Sequence, residues 1–197
     1  MDKVEANVLQ WLTAGSDDAV DIVDLPWKVE ELDRGVYYAE HPSVPMHLMV
    51  AFSDNFVHLI VPTTIETAEM SNEEKLRVYE TLMWLNDKVH MMKYSIGGEN
   101  KNIRLRVDLD KSTLGKEEFN NALVALVIGV LVGVKALGIE MEFMQKVLQR
   151  LIDMLVYRIE NGATEEELMN FLTNTVGMEV RDAKDLLDAV MQAIEQE

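Results

Sequence analysis

The stretch NNALVALVIGVLVGVKALG, Asn120 to Gly138, constrains this chain more than any other. It is apolar without a break from Ala122 to Val134, and Lys135 ends it. As a helix such a run spans roughly 20 Å, whereas a hydrocarbon core needs about 30 Å. The run therefore reads as the buried spine of a soluble fold, in a helix over residues 114–137. Ser112 or Thr113 is the expected N-cap. Glu117 and Glu118 place negative charge at the positive end of the helix dipole, and Gly138 is the expected stop. Ala125, Gly129 and Gly133 recur every four residues and make a smooth stripe. That stripe suits close packing on a sheet or neighbouring helix, or an interface between subunits. A helix apolar all round must be covered on every side. One sheet covers one side, and the C-terminal region or a second subunit is expected to cover the other.

With 35 acidic against 18 basic residues, the net charge is −17. A surface this negative repels phosphate backbones, which argues against nucleic-acid binding. There is no cysteine, so disulfides, thiolate chemistry and Cys-type zinc sites are excluded. The N-terminus MDKVEANVLQW lacks the basic segment and apolar block of a signal peptide. A cytoplasmic protein that does not enter membranes is the expectation.

Val4, Val8, Trp11 and Leu12 repeat at helical spacing over residues 2–14. GVYYAEHP reads as a strand. MHLMVAF and FVHLIVP flank the turn SDN and read as a hairpin. SNEEKLRVYETLMWLNDKVHMM is an amphipathic helix, with Ser71 and Glu74 as a capping box and Leu76, Tyr79, Leu82, Met83 and Val89 near one face. KYSI and IRLRVDLD form a second hairpin around GGENKN. The alternation of Ile103, Leu105, Val107 and Leu109 with charged residues marks a sheet with one wet face. Residues 139–197 carry three helical patterns and no strand signal, with 13 acids against 5 bases. The fold class expected is α+β: an antiparallel sheet of about five strands packed with helices over residues 1–138, then a three-helix region over 139–197. That region reads as cover for the apolar helix, with a separate helical domain as the alternative.

The element order, the hairpin MHLMVAFSDNFVHLIVP, the helix from Ser71, the strand IRLRVDLD and the entry STLGKEEF together resemble the YbjN family. More distantly, they resemble the class I type III secretion chaperones. The resemblance covers about residues 1–138. It implies an α+β sandwich, often dimeric, that binds polypeptides rather than catalysing a reaction.

His41, His47, His58 and His90 show no metal-ligand spacing, and closing the hairpin through SDN sets His58 opposite Val50. Nucleophile-elbow and phosphate-loop patterns are missing. No catalytic residue, cofactor or metal is expected. The thirteen methionines suit ordinary core filling or an adaptable apolar surface. Met46, Met49, Phe52 and Phe56 of the hairpin, with Ala125, Gly129 and Gly133, are the candidate peptide-binding or interface residues. An extended peptide is expected to add at the sheet edge and the Met46–Met49 strand. The reading is a non-enzymatic, chaperone-like protein that captures apolar polypeptide surface as a homodimer. Its rivals are an enzyme built from scattered Asp, Glu and His, and a peripheral membrane protein.

Overall fold

The computed structural model describes residues 2–194; Met1 and residues 195–197 lie outside the described part. The chain divides into two compact units, Met1–Gly138 and Ile139–Glu197.

The first unit is α+β. Helix α1 (Lys3–Thr13) is closed at its start by the Asp2–Glu5 capping box. A 3₁₀ turn (Ile22–Asp24) follows, then β1 (Lys28–Asp33), β2 (Val36–Glu40), β3 (Leu48–Phe52) and β4 (Phe56–Glu66). Helix α2 (Asn72–Lys88), β5 (Lys93–Gly97), β6 (Asn102–Asp110) and α3 (Lys116–Leu137) complete it. The strands form one antiparallel sheet in the order β1-β2-β3-β4-β6-β5. It has six strands rather than about five. The extra strand, β1, reads KVEELD and is almost wholly exposed. It borders the sheet on one side only, so it needs no apolar alternation and leaves little hydrophobic pattern to read.

Every second strand residue is buried: Leu48 and Val50, Val57, Leu59 and Val61, and Ile103, Leu105, Val107 and Leu109. This is the face covered by helices. The first hairpin pairs Phe52 with Val57 and Ala51 with His58. Ser53 N–H donates to the Phe56 carbonyl at 3.0 Å. The loop is therefore Asp54-Asn55, two residues and not three, and His58 lies opposite Ala51 instead of Val50. A one-residue change in register moves a side chain to the other face.

Ser71 and Glu74 form the expected capping box of α2. Its buried positions are Val78, Leu82 and Leu85, whereas Leu76 and Met83 point to solvent. The face inferred from spacing was rotated, because Leu76, Met83 and Trp84 form a second apolar stripe on the opposite side.

Helix α3 begins at Gly115 without a side-chain cap. Ser112 instead donates to Asp110 at 2.7 Å. Gly138, at φ 69°, is the C-terminal stop, a left-handed residue that glycine adopts without a Cβ penalty. At 22 residues α3 is long and apolar enough to cross a membrane by length and composition. The length of the uninterrupted run therefore does not by itself exclude a span. Packing marks α3 as a core helix on one side. A Cβ at Gly129 would lie 2.6 Å from Met92 Cε and 2.8 Å from Leu105 Cδ2, and one at Gly133 would lie 2.9 Å from Tyr94 Oη. The expected cover from a second subunit would fall on the other side. Ile128 and Leu131, opposite the glycines and Leu126, are 51% and 50% exposed.

The second unit comprises α4 (Glu140–Glu160), α5 (Glu165–Asn170), a π-type turn (Phe171–Thr175) and α6 (Val180–Ile194). Thr164 and Glu167 cap α5 reciprocally. Leu155, Leu168, Phe171, Leu172, Ala183, Leu187 and Val190 form its core. Arg158 lies over the Phe171 ring, 4.1 Å from its centroid, a cation–π contact on this core.

Candidate functional site

Two surfaces of the first unit carry features that core packing does not account for. One is the open face of the sheet. The other is the outward side of α2 and α3.

On the open face, odd-numbered β3 residues and even-numbered β4 and β6 residues point away from the helices. Met49 there sits between Tyr38 and Ile60. Beside this apolar strip lie two histidine clusters. The first is built from β1, β2 and the loop before β3. Tyr38 Oη makes a short hydrogen bond with His47 Nδ1. His47 Nδ1 is 3.5 Å from Glu40 Oε2, and Lys28 Nζ is 3.8 Å from Glu40 Oε1. The second cluster comes from the hairpin turn, β4 and β6, where His58 pairs across the strands with Asp108. His58 Nδ1 is 2.5 Å from Asp108 Oδ1, and His58 Nε2 is 3.0 Å from Ser53 Oγ. Arg106 Nε donates to both Asp108 oxygens at 2.7 and 3.0 Å. Burial pushes the Asp108 carboxyl up, but the bonds from His58 and Arg106 prevail and hold it below the usual carboxylate range. Asp108 is thus anionic and suited to accept from His58 Nδ1, the tautomer in which Nε2 accepts from Ser53. His41 is different: it is buried, with Nδ1 accepting from Ser43 Oγ at 2.7 Å, and it serves the fold.

The outward side of the helices is apolar. Leu76, Met83 and Trp84 on α2 are 57%, 68% and 60% exposed. They join Ile128 and Leu131 of α3 as large hydrophobic side chains in water.

The residues singled out in the sequence fall in different places. Met49 and Phe56 lie on the open face, Met49 half-buried and Phe56 exposed. Phe52 points to the helix side, edge-on to Tyr37 with centroids 5.9 Å apart, and under Lys111 Nζ at 5.5 Å. Met46, Gly129 and Gly133 are buried, so they present nothing to a partner. Ala125 is half-buried. Strand addition at Met46–Met49 is also corrected: β3 lies between β2 and β4 and has no free edge. Of the true edges, β5 is closed by Asn86. That side chain accepts from Tyr94 N–H at 2.7 Å and donates to the Tyr94 carbonyl at 3.2 Å, as a neighbouring strand would. Edge β1 carries Lys28, Glu30, Glu31 and Asp33 and a register shift between Glu31 and Asp33, features that oppose pairing. Sequence reasoning missed the Ser53–His58–Asp108 juxtaposition because it needs the pairing of β4 with β6 across fifty positions. Among the described residues, no group of three or more His, Asp or Glu side chains is placed to hold a metal ion.

Residues 7–137, which make up the first unit nearly end to end, match the family model described as Domain of unknown function (DUF8183). The chain belongs to the DUF8183 family. Residues 138–197 match a second model, HTH_78, also described as a domain of unknown function. The two matches meet where the two units meet, so the DUF8183 region is the sheet with its three helices. No curated protein matches the chain.

Proposed function

We propose that this chain is a chaperone-like module that captures apolar polypeptide surface and does so as a homodimer. The observation that supports this reading most is the set of exposed large apolar side chains that α2 and α3 each carry: Leu76, Met83 and Trp84 on the one, Ile128 and Leu131 on the other. Exposed apolar groups of this size cost free energy in water and mark contact surfaces when they cluster. Met83 adapts its shape to varied partners, and Trp84 supplies an anchor of large area. The element order, resembling YbjN and the class I secretion chaperones, points the same way. The charge of −17 keeps a complex with an apolar client in solution. Capture is through helix faces rather than by strand addition, since Asn86 and the charges of β1 guard the sheet edges.

The test combines sedimentation equilibrium of the full chain with binding of a fluorescent apolar helical peptide. A dimer is expected, with peptide bound by wild type and lost in Met83→Asp/Trp84→Ser. Dimerisation is expected to fail in Ile128→Asp/Leu131→Asp. A monomer that binds no peptide overturns the reading. Flotation with neutral liposomes separates it from membrane attachment by the same face. Flotation of wild type but not of Ile128→Asp/Leu131→Asp would favour the membrane.

A further inference from the structure

The geometry points to Ser53, His58 and Asp108 as a nucleophilic acyl-transfer site on the open face of the sheet, acting on small activated carboxylic esters. The proposal is independent of the apolar helix surface. It rests on three side chains from a turn and two strands that converge in one line. Ser53 Oγ is 3.0 Å from His58 Nε2, and His58 Nδ1 is 2.5 Å from Asp108 Oδ1. In the tautomer with its proton on Nδ1, bonded to Asp108, the imidazole presents Nε2 to take a proton from the hydroxyl. His58 is the least exposed member, with its side chain 19% accessible, while Asp108 is 43% accessible and Ser53 is exposed at the turn. The base is therefore held and the nucleophile reachable.

Further contacts bear on the site, and one competes with His58 for the hydroxyl proton: Ser53 Oγ donates to the Phe56 carbonyl at 3.2 Å. Arg106 Nη2 lies 3.2 Å from His58 Nδ1, while its Nε bonds Asp108. This guanidinium fixes the carboxylate and opposes build-up of positive charge on the imidazole, so it limits the rate. Phe56 N–H donates to Ser53 Oγ at 3.3 Å, which favours negative charge on that oxygen. The Phe56 ring lies 6.2 Å from the His58 ring and forms an apolar wall beside it.

The reaction balances as follows. Ser53 Oγ attacks the acyl carbon, and its proton passes to His58 Nε2. The ester C–O bond breaks, and the leaving oxygen takes that proton as the alcohol departs. Water then attacks the acyl-Ser53, giving its proton to His58 Nε2, which returns it to Ser53 Oγ as the acyl–Oγ bond breaks and the acid leaves. One ester and one water become one acid and one alcohol. Because Ser53 sits in the open, substrate binding contributes little. Esters with good leaving groups are the expected class, and peptides are not.

The experiment incubates the full chain with p-nitrophenyl acetate and maps acetylated residues by peptide mass spectrometry. Acetyl-Ser53 is expected to form faster than any acetyl-lysine. Its rate should rise with pH, as general-base assistance requires. Since general-base assistance contributes about 10²-fold or more, His58→Gln should slow Ser53 acetylation by about that factor and flatten the pH profile. Asp108→Asn should slow it as well, and Ser53→Ala should remove the modified peptide. Labelling confined to lysines, or Ser53 labelling at the same rate in His58→Gln, overturns the proposal. If a variant fails to fold, the wild-type pH profile decides: a flat profile at Ser53 refutes the site.

Discussion

The phenolic O–H of Tyr94 donates to the Gly129 carbonyl across 2.6 Å, tying edge strand β5 to the middle of α3. The bond exists because Gly129 and Gly133 let the helix approach until their missing side chains are replaced by Met92, Leu105 and the tyrosine ring.

Gly133→Ala is expected to destabilise the first unit. Its Cβ would stand 2.9 Å from Tyr94 Oη and 3.1 Å from Cε1, atoms of a rigid ring. Overpacking costs about 1–3 kcal/mol, while the gain in helix propensity is about 1 kcal/mol. A net loss of about 1 kcal/mol should appear as a lower urea midpoint with unchanged slope. A rise in midpoint would refute the close-packing account.

Tyr94 and Tyr37 predict sensitivity to alkali. Burial pushes the Tyr94 phenol from 10.0 up to about 12. The bond to Glu5 at 2.7 Å, and then burial, push Tyr37 from 10.0 to about 12. The fold prefers the neutral phenol. Its contribution is therefore complete below pH 10.0 and is lost as pH climbs from there towards about 12. Urea midpoints should fall steeply over that window. Tyr94→Phe should cost about 1 kcal/mol at neutral pH and remove part of the alkaline fall.

Asn86→Ala should unguard an edge. It leaves the Tyr94 N–H and carbonyl without their side-chain partner. The expected cost is about 1–3 kcal/mol, together with concentration-dependent association through β5. Light scattering after mild heating checks the second effect. A variant that melts lower but does not associate would refute the guarding role.

Leu172→Ala strikes the core of the second unit, where Leu172 is fully buried among Leu155, Leu168 and Leu187. A loss of about 2–5 kcal/mol is expected from transfer and cavity terms. Hydrogen exchange should report it in α4–α6, with the sheet amides of the first unit little changed.

Much of this protein is local and was legible in the sequence. The capping box at Ser71, the stop at Gly138 and the alternation in β6 each depend on residues a few positions apart. Register and partner choice are not local. A two-residue loop in place of three moved His58 from opposite Val50 to opposite Ala51. The pairing of β4 with β6 then set it against Asp108. The small-residue stripe of α3 was visible as a close-packing face, but packing decided that Gly129 and Gly133 meet Met92, Leu105 and Tyr94 of the sheet side and that Ile128 and Leu131 stay exposed. Sequence determines which segments form helices and strands, since those preferences act over single turns. Tertiary structure decides which side chains meet, since contacts across fifty residues depend on how whole elements pack.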